Sequence, residues 1–208
     1  MVRHELSGLI CSAGFSSGDR FVVGRWERSP VGPMIDLMWA RPDGRRVLLA
    51  GTWQAAELIT AVYGFDEVHV VPLEAAWDGT DLELTAGEVS LGIRAGPGWR
   101  LPLGRLRPPW FTRWVEGMVA RPLLGVRTHG VTASGIFEWY RADEYRRVVE
   151  ARASVGGDDL GTLRPLVPEV GFGFTGPPRR PSVVRVRPLL ADPTGRLDRV
   201  LARLSDSP

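Results

Sequence analysis

The densest group of chemically capable side chains lies in residues 135–145, which read GIFEWYRADEY. On a β-strand Glu138 and Tyr140 would share one face, while Phe137 and Trp139 would occupy the other. A glutamate beside a tyrosine hydroxyl can do general acid–base work if burial raises the glutamate pKa. The more common arrangement buries the aromatic face in the core and leaves the glutamate in water. The direction of Glu138 therefore decides between a site and ordinary packing.

A histidine lies just upstream, in the sequence RTHG. Arg127 and His129 would share one strand face, and pairing around a turn at 133–135 could bring His129 near Trp139 or Glu138, depending on register. A His–Glu contact would be an acid–base pair that works near neutral pH. A lone histidine on a strand is more often structural, so both interpretations stay open. Glu138 and His129 are the candidate catalytic residues.

Aromatic side chains elsewhere in the chain could line a ligand pocket. The chain holds eight tryptophans, and the sequence GFGF places Phe172 and Phe174 on one side of an extended segment. Ligand pockets combine such apolar walls with a few polar groups. The candidate ligand-binding residues are Arg127, Trp139, Tyr140, Phe172, Phe174 and Trp39.

Composition excludes several kinds of chemistry. All 26 basic residues are arginine, so a Schiff-base lysine, a P-loop lysine and a Ser–Lys pair are all impossible. Cys11 is the only cysteine, which excludes an internal disulfide and a cysteine-based zinc site, and which fits a reducing cytoplasm. The three histidines lack the spacing of metal ligands, so we expect no metal site, and no glycine-rich segment has the context of a cofactor-binding loop.

The charge distribution is uneven but does not indicate nucleic acid. The first hundred residues carry a net charge of −4 and the remainder +6, which together give the formal +2. The arginines of the second half alternate with acids, and no nucleic-acid-binding signature accompanies them. We therefore expect no nucleic-acid partner. The N-terminal apolar run is too short and too broken by glycine for a signal peptide, and no apolar run approaches the roughly 20 residues of a membrane span.

The elements that must position these residues are mostly short strands. Runs at 34–40 and 45–50 flank Pro42-Asp43-Gly44 and predict a hairpin. Residues 52–63 predict the clearest helix, capped by Thr52. Shorter helices are predicted near 109–119 and 195–204. Many short strands with few helices indicate a mainly β (α+β) fold, an antiparallel barrel or sandwich, as one domain over residues 1–208.

Four further segments have less regular patterns. We predict strand throughout 67–77, a Pro/Gly-rich loop from residue 97, and a β-meander over 123–155. Within that meander the sequence RADE is predicted to form a turn, with Asp143 and Glu144 solvated. Residues 168–174 are predicted to form another strand.

The connector SPVGP at 29–33, followed by a strand, the hairpin, helix 52–63 and a long run of strands, resembles the acetoacetate decarboxylase-like superfamily. That resemblance implies a single-domain β-barrel that encloses a small-molecule cavity. The decarboxylases of the superfamily use a Schiff-base lysine, which this chain lacks. The resemblance therefore implies the barrel and its pocket without that activity.

These observations lead to one functional hypothesis and two alternatives. The first is a cytoplasmic protein that binds an apolar or weakly acidic small molecule without a cofactor. The second is a cofactor-free enzyme that uses Glu138 and His129. The third is an interaction or membrane-surface protein that uses the 107–119 helix and the basic second half of the chain, although a helix of about ten residues would anchor it weakly. The sequence leaves the oligomeric state open.

Overall fold

The structure is a computed structural model that describes residues 3–100, 129–132, 134–173 and 176–205. Short strands dominate these residues, and the two helices among them are α1 Trp53–Val62 and α2 Arg196–Ser205. The strands in chain order are β1 Arg3–Glu5, β2 Ser7–Phe15, β3 Arg20–Arg28, β4 Met34–Ala40, β5 Arg46–Ala50, β6 Glu67–Val70, β7 Leu73–Trp77, β8 Asp81–Ala86, β9 Val89–Arg100, β10 His129–Val131, β11 Phe137–Trp139, β12 Ala142–Val155, β13 Asp158–Asp159, β14 Leu163–Arg164, β15 Ser182–Val186 and β16 Leu189–Ala191.

The strands form one long curled sheet and one small sheet. The long sheet has the order β6-β5-β4-β3-β2-β15-β12-β9-β8-β7 and curls strongly into a half-barrel, with β13 paired to β12 and β14 paired to β2. The small sheet has the order β1-β16-β11-β10. The pairings are antiparallel except that of β5 with β6, which are joined by α1. The predicted mainly β fold, in its barrel-like form, is confirmed.

The long sheet separates two apolar cores, and β4 contributes to both. Met34 and Met38 pack on the side covered by α1 and α2. Leu37 and Trp39 point to the opposite side, where the curl brings β8 and β9 over β2 to β5. This division follows from the alternation of side chains along a strand. Strands β4 and β5 are therefore nearly continuous apolar runs, because both of their faces are buried.

Helix α1 has the Thr52 cap that its sequence predicts. The side chain of Thr52 accepts a hydrogen bond from the backbone N–H of Ala55 at 3.2 Å, and the N–H of Tyr63 closes the last turn by donating to the carbonyl of Ile59. The small and branched side chains between them form the buried face. The helix ends at Val62, which leaves Tyr63 beside the core under the half-barrel. The helix predicted near 195–204 is present as α2, while the one near 109–119 lies outside the described residues.

The predicted strand at 168–174 is wrong for the residues described there, because 168–173 form bends and irregular backbone. Gly171 has φ +68°, a left-handed conformation that interrupts an extended path. The predicted loop from residue 97 is also wrong up to Arg100, where β9 continues as strand paired to β12. The run at 67–77 is two strands, β6 and β7, which separate at Pro72.

The predicted meander also needs correction, because β11 and β12 belong to different sheets. The sequence RADE is no turn: its last three residues begin β12, with a register shift between Ala142 and Glu144. Asp143 accepts two hydrogen bonds from Arg187, at 2.6 and 2.9 Å, and Glu144 pairs with Arg146 at 2.7 Å. These ion pairs replace the solvation that a turn would have offered.

Within the described residues, neither helix has the length and apolar character needed to cross a bilayer.

The capping bond of α1 can be tested by replacing Thr52. Thr52→Ala removes the acceptor for the Ala55 N–H, and we expect the free energy of unfolding to fall by about 1 kcal/mol. Thr52→Ser keeps a hydroxyl at the cap and should recover most of that loss. Urea unfolding followed by circular dichroism measures both. Equal stability of the alanine variant and the parent would contradict the cap.

Candidate functional site

Glu138 points into the protein, which answers the question raised by its sequence. It lies at the centre of β11, opposite Gly130 of β10 and Leu190 of β16. Its exposed fraction is 5%, whereas that of the neighbouring Phe137 is 39%. The polar face of this strand is therefore the inner one.

Glu138 borders a cavity of about 70 Å³ on the helix-covered side of the half-barrel. Strands β2, β3 and β4 form one wall, and the end of α1, β11 and the segment after Pro168 close it. Most of the lining is aliphatic or aromatic, as with Ile10, Val22, Met38 and Phe172. The polar side chains of the lining are Trp26, Asp36, Tyr63, Glu138 and Tyr140.

Tyr63 holds the carboxyl group of Glu138. The tyrosine hydroxyl lies 3.0 Å from both Oε1 and Oε2, so its one proton is shared between the two acceptors. Burial raises the pKa of Glu138 to about 7, and the hydrogen bond from Tyr63 lowers it by a smaller amount. Near neutral pH this carboxyl is therefore divided between its acid and its anion.

Asp36 is a second buried carboxyl in the same cavity, with an exposed fraction of 0%. Its Oδ1 accepts a hydrogen bond from Trp26 Nε1 at 2.8 Å, while its Oδ2 is buried with no hydrogen-bond partner among the described residues. Burial raises the pKa of Asp36 to about 7, against the smaller lowering effect of the Trp26 bond. Gly24 makes this pair possible, because a Cβ at that position would overlap both Asp36 Oδ1 and Trp26 Nε1.

The two tyrosines of the cavity stay neutral over the physiological range. Burial, followed by the nearby carboxyl of Glu138, raises the pKa of both Tyr63 and Tyr140 above its ordinary value. Asp36 and Glu138 are thus the side chains of the described lining that change charge near pH 7. The charge of the cavity therefore changes with pH, while its two tyrosine hydroxyls stay protonated.

The structure brings together three of the predicted site residues, which are Glu138, Tyr140 and Phe172. Trp39 lies in the opposite core, where its Nε1 donates to Asp19 at 2.7 Å. Trp139 is half-buried and stacks on Phe137, with ring centroids 6.2 Å apart, and does not line the cavity. Arg127 and Phe174 lie outside the described residues. For His129 the backbone register alone is described, and it pairs that residue with Trp139.

Sequence reasoning missed Asp36, Tyr63 and Trp26. One signal for Asp36 was present, because an aspartate within the apolar run MIDLMWA contradicts the β-propensity of its neighbours. Period two also places Asp36 on the same face as Met34 and Met38. No comparable signal marks Tyr63, which reaches Glu138 across 75 positions of sequence.

In the described part of the chain, no three His, Cys, Asp or Glu side chains lie close enough together to bind a metal ion. The two carboxyls instead sit among aromatic rings and a hydroxyl. That arrangement can hold or move a proton, and it can accept hydrogen bonds from a bound molecule.

Comparisons of the chain with protein-family models, with curated protein sequences and with solved structures find no match.

The raised carboxyl pKa values make stability depend on pH in a defined direction. A buried acid with a raised pKa binds its proton more tightly in the folded state, so stability is greatest below the unfolded pKa and falls as pH rises towards 7. For Glu138 that window runs from 4.5 to about 7. We expect the parent to lose about 1.4 kcal/mol per pH unit from each of the two carboxyls there, and Glu138→Gln to remove one of the two contributions.

Urea unfolding at pH 5, 6 and 7 measures this slope. Glu88→Gln is the matched control, because Glu88 is exposed in the turn between β8 and β9. The control should keep the parent's slope even if both glutamine variants differ in absolute stability. Equal slopes for Glu138→Gln and the parent would mean that Glu138 ionises like an ordinary glutamate.

Proposed function

We propose that the chain is a small-molecule-binding protein whose ligand occupies the cavity beneath the half-barrel. The ligand is compact, largely apolar, and carries a hydrogen-bond donor. The observation that carries this proposal is that Asp36, a residue of the cavity lining, has a buried carboxyl oxygen, Oδ2, with no hydrogen-bond partner among the described residues. A buried polar atom left unpaired costs about 1–3 kcal/mol, which a ligand that satisfies it would recover.

The unpaired Oδ2 of Asp36 has an unmet hydrogen-bonding need whether the carboxyl group is ionised or protonated. As an anion, Asp36 Oδ2 lacks a donor; as an acid, its hydroxyl lacks an acceptor. A ligand with an O–H or N–H group meets the first need, and a hydroxyl meets both. The apolar walls and the absence of arginine from the described lining argue against an anionic ligand.

The cavity limits how large this ligand can be. A water molecule needs about 15 Å³ of cavity volume. The cavity of about 70 Å³ therefore accommodates roughly five non-hydrogen atoms. Larger ligands would extend beyond this volume. The lack of lysine supports binding without Schiff-base chemistry. The chain has a single cysteine and cannot form an internal disulfide, which supports a cytoplasmic location.

A thermal-shift screen with compact alcohols, amines and short carboxylic acids tests the proposal. We expect a subset with at most about six non-hydrogen atoms to raise the melting temperature of the parent. Val22→Phe and Val170→Phe, which fill the cavity from two different walls, should abolish the shift. Val149→Phe is the control, because Val149 is 57% exposed on β12.

Two variants are used because overpacking one wall can prevent folding. If the parent responds to no compound, or if both cavity-filling variants fold and respond as the parent does, the cavity is not the binding site.

Acid–base catalysis is a second candidate function, and the pKa of about 7 at Glu138 favours it. A general base works best when its pKa lies near the operating pH. Tyr63 orients the carboxyl and could donate to an oxygen that gains charge during a proton transfer. A cofactor-free enzyme of this kind would abstract a proton from a small carbon acid.

Deuterium exchange tests this second candidate with a compact ketone. Butanone in deuterated buffer should exchange its α-protons faster with the parent than with buffer alone, and Glu138→Gln should remove the difference. We expect a loss of at least 100-fold in the protein-catalysed rate, a value typical for a general base. Exchange that persists in the glutamine variant would exclude Glu138 as the base.

A further inference from the structure

We infer that the ligand of this cavity is a small organic amine, bound as its ammonium ion between Asp36 and Glu138. This inference rests on the proposed binding function and names the chemical class of the ligand. In this inference the two carboxyl groups act together, and each binds the ammonium group from a different side.

Charge is the first argument. The described lining contains two acids and neither arginine nor histidine. A buried carboxylate needs a positive partner or a proton, because low-dielectric surroundings penalise the isolated anion. In the free protein the proton fills that role. An ammonium ion would fill it as well, and its single charge balances that of one ionised carboxyl.

Hydrogen-bond capacity is the second argument. An ammonium group of a primary amine has three donors and no acceptor. Asp36 Oδ2 is buried with no partner in the part of the chain that the structure describes, and the carboxyl oxygens of Glu138 share the single proton of Tyr63. The described acceptors of the cavity thus exceed its donors. A neutral alcohol supplies one donor, and a carboxylate supplies none.

The aromatic lining is the third argument. Rings of Trp26, Tyr63, Tyr140 and Phe172 border the same cavity. The faces of such rings attract cations, and the effect strengthens when water is excluded. Carboxylates together with aromatic faces form a site that favours an alkylammonium ion over a neutral molecule of the same shape.

Binding of a cation here must depend on pH. The titratable and polar groups that act on the two carboxyls from neighbouring elements are Trp26 of β3, Tyr63 after α1 and Tyr140 after β11. Burial, followed by the nearby carboxyl of Glu138, raises the pKa of both tyrosines, so that they are neutral at pH 6–8. The proton that an ammonium ion displaces therefore comes from Asp36 or Glu138. An aliphatic amine stays protonated over this range, as a lysine side chain does.

Three probes of matched size separate the possibilities: propylammonium, 1-propanol and propionate. Isothermal titration calorimetry at pH 8 should give at least tenfold tighter binding for propylammonium than for the other two. Between pH 8 and pH 6 its affinity should fall by about tenfold for each carboxyl that must lose a proton. Titration in two buffers of different ionisation enthalpy should detect that proton release.

Asp36→Asn and Glu138→Gln should each weaken propylammonium binding at pH 8 by at least tenfold, while the exposed pair Asp158→Asn and Glu88→Gln should leave it unchanged. Near-ultraviolet circular dichroism checks that each variant is folded. If neither cavity variant folds, the pH dependence and proton release of the parent decide alone.

Two results would overturn the inference while leaving the proposed function intact. One is that 1-propanol binds as tightly as propylammonium with no dependence on pH. The other is that none of the three probes binds while another compound of the thermal-shift screen does. If neither the probes nor the screen gives binding, the proposed function fails and the amine inference fails with it.

Discussion

The site depends on the burial of two carboxyl groups in an apolar cavity. No basic side chain of the described lining compensates their charge. Desolvation sets the pKa of both Asp36 and Glu138 near 7, so each is a neutral acid in mildly acidic solution and an anion in mildly basic solution. The fold tolerates them because each has one good hydrogen bond, from Trp26 and Tyr63 respectively. Such groups reduce stability at neutral pH, a cost that proteins commonly carry at functional sites.

The fold supplies this arrangement by bringing together three distant parts of the chain. Strand β4 carries Asp36 in the middle of the long sheet, where Gly24 on the adjacent strand leaves space for the Trp26–Asp36 pair. Helix α1 ends at the point where Tyr63 can reach the cavity, and the small sheet presents Glu138 from the other side. The curl of the long sheet gives the cavity its concave wall. None of these elements forms the site alone.

The sequence predicts the local parts of this structure well and their assembly poorly. Turn residues between two apolar runs were enough to predict the β4–β5 hairpin. The Thr52 cap and the apolar face of the helix were enough to predict α1. Alternation of side chains placed Glu138 and Tyr140 on one face. Their inward direction depends on the small sheet, in which Glu138 pairs with Leu190, 52 positions away. Tyr63 was missed for the same reason. The failed strand at 168–174 had suitable residue types, yet Gly171 turns the backbone away from the extended path.

The ionisation of the two cavity carboxyls is the central claim, and carbon-13 NMR of protein labelled at the aspartate and glutamate carboxyl carbons measures it directly. We predict that one aspartate and one glutamate resonance titrate near pH 7, and that each disappears in the corresponding variant, Asp36→Asn or Glu138→Gln. Asp66 provides a contrast, because the side chain of Arg46 donates hydrogen bonds to its carboxylate and lowers its pKa to about 2. Titration of every carboxyl below about pH 5 would contradict the account.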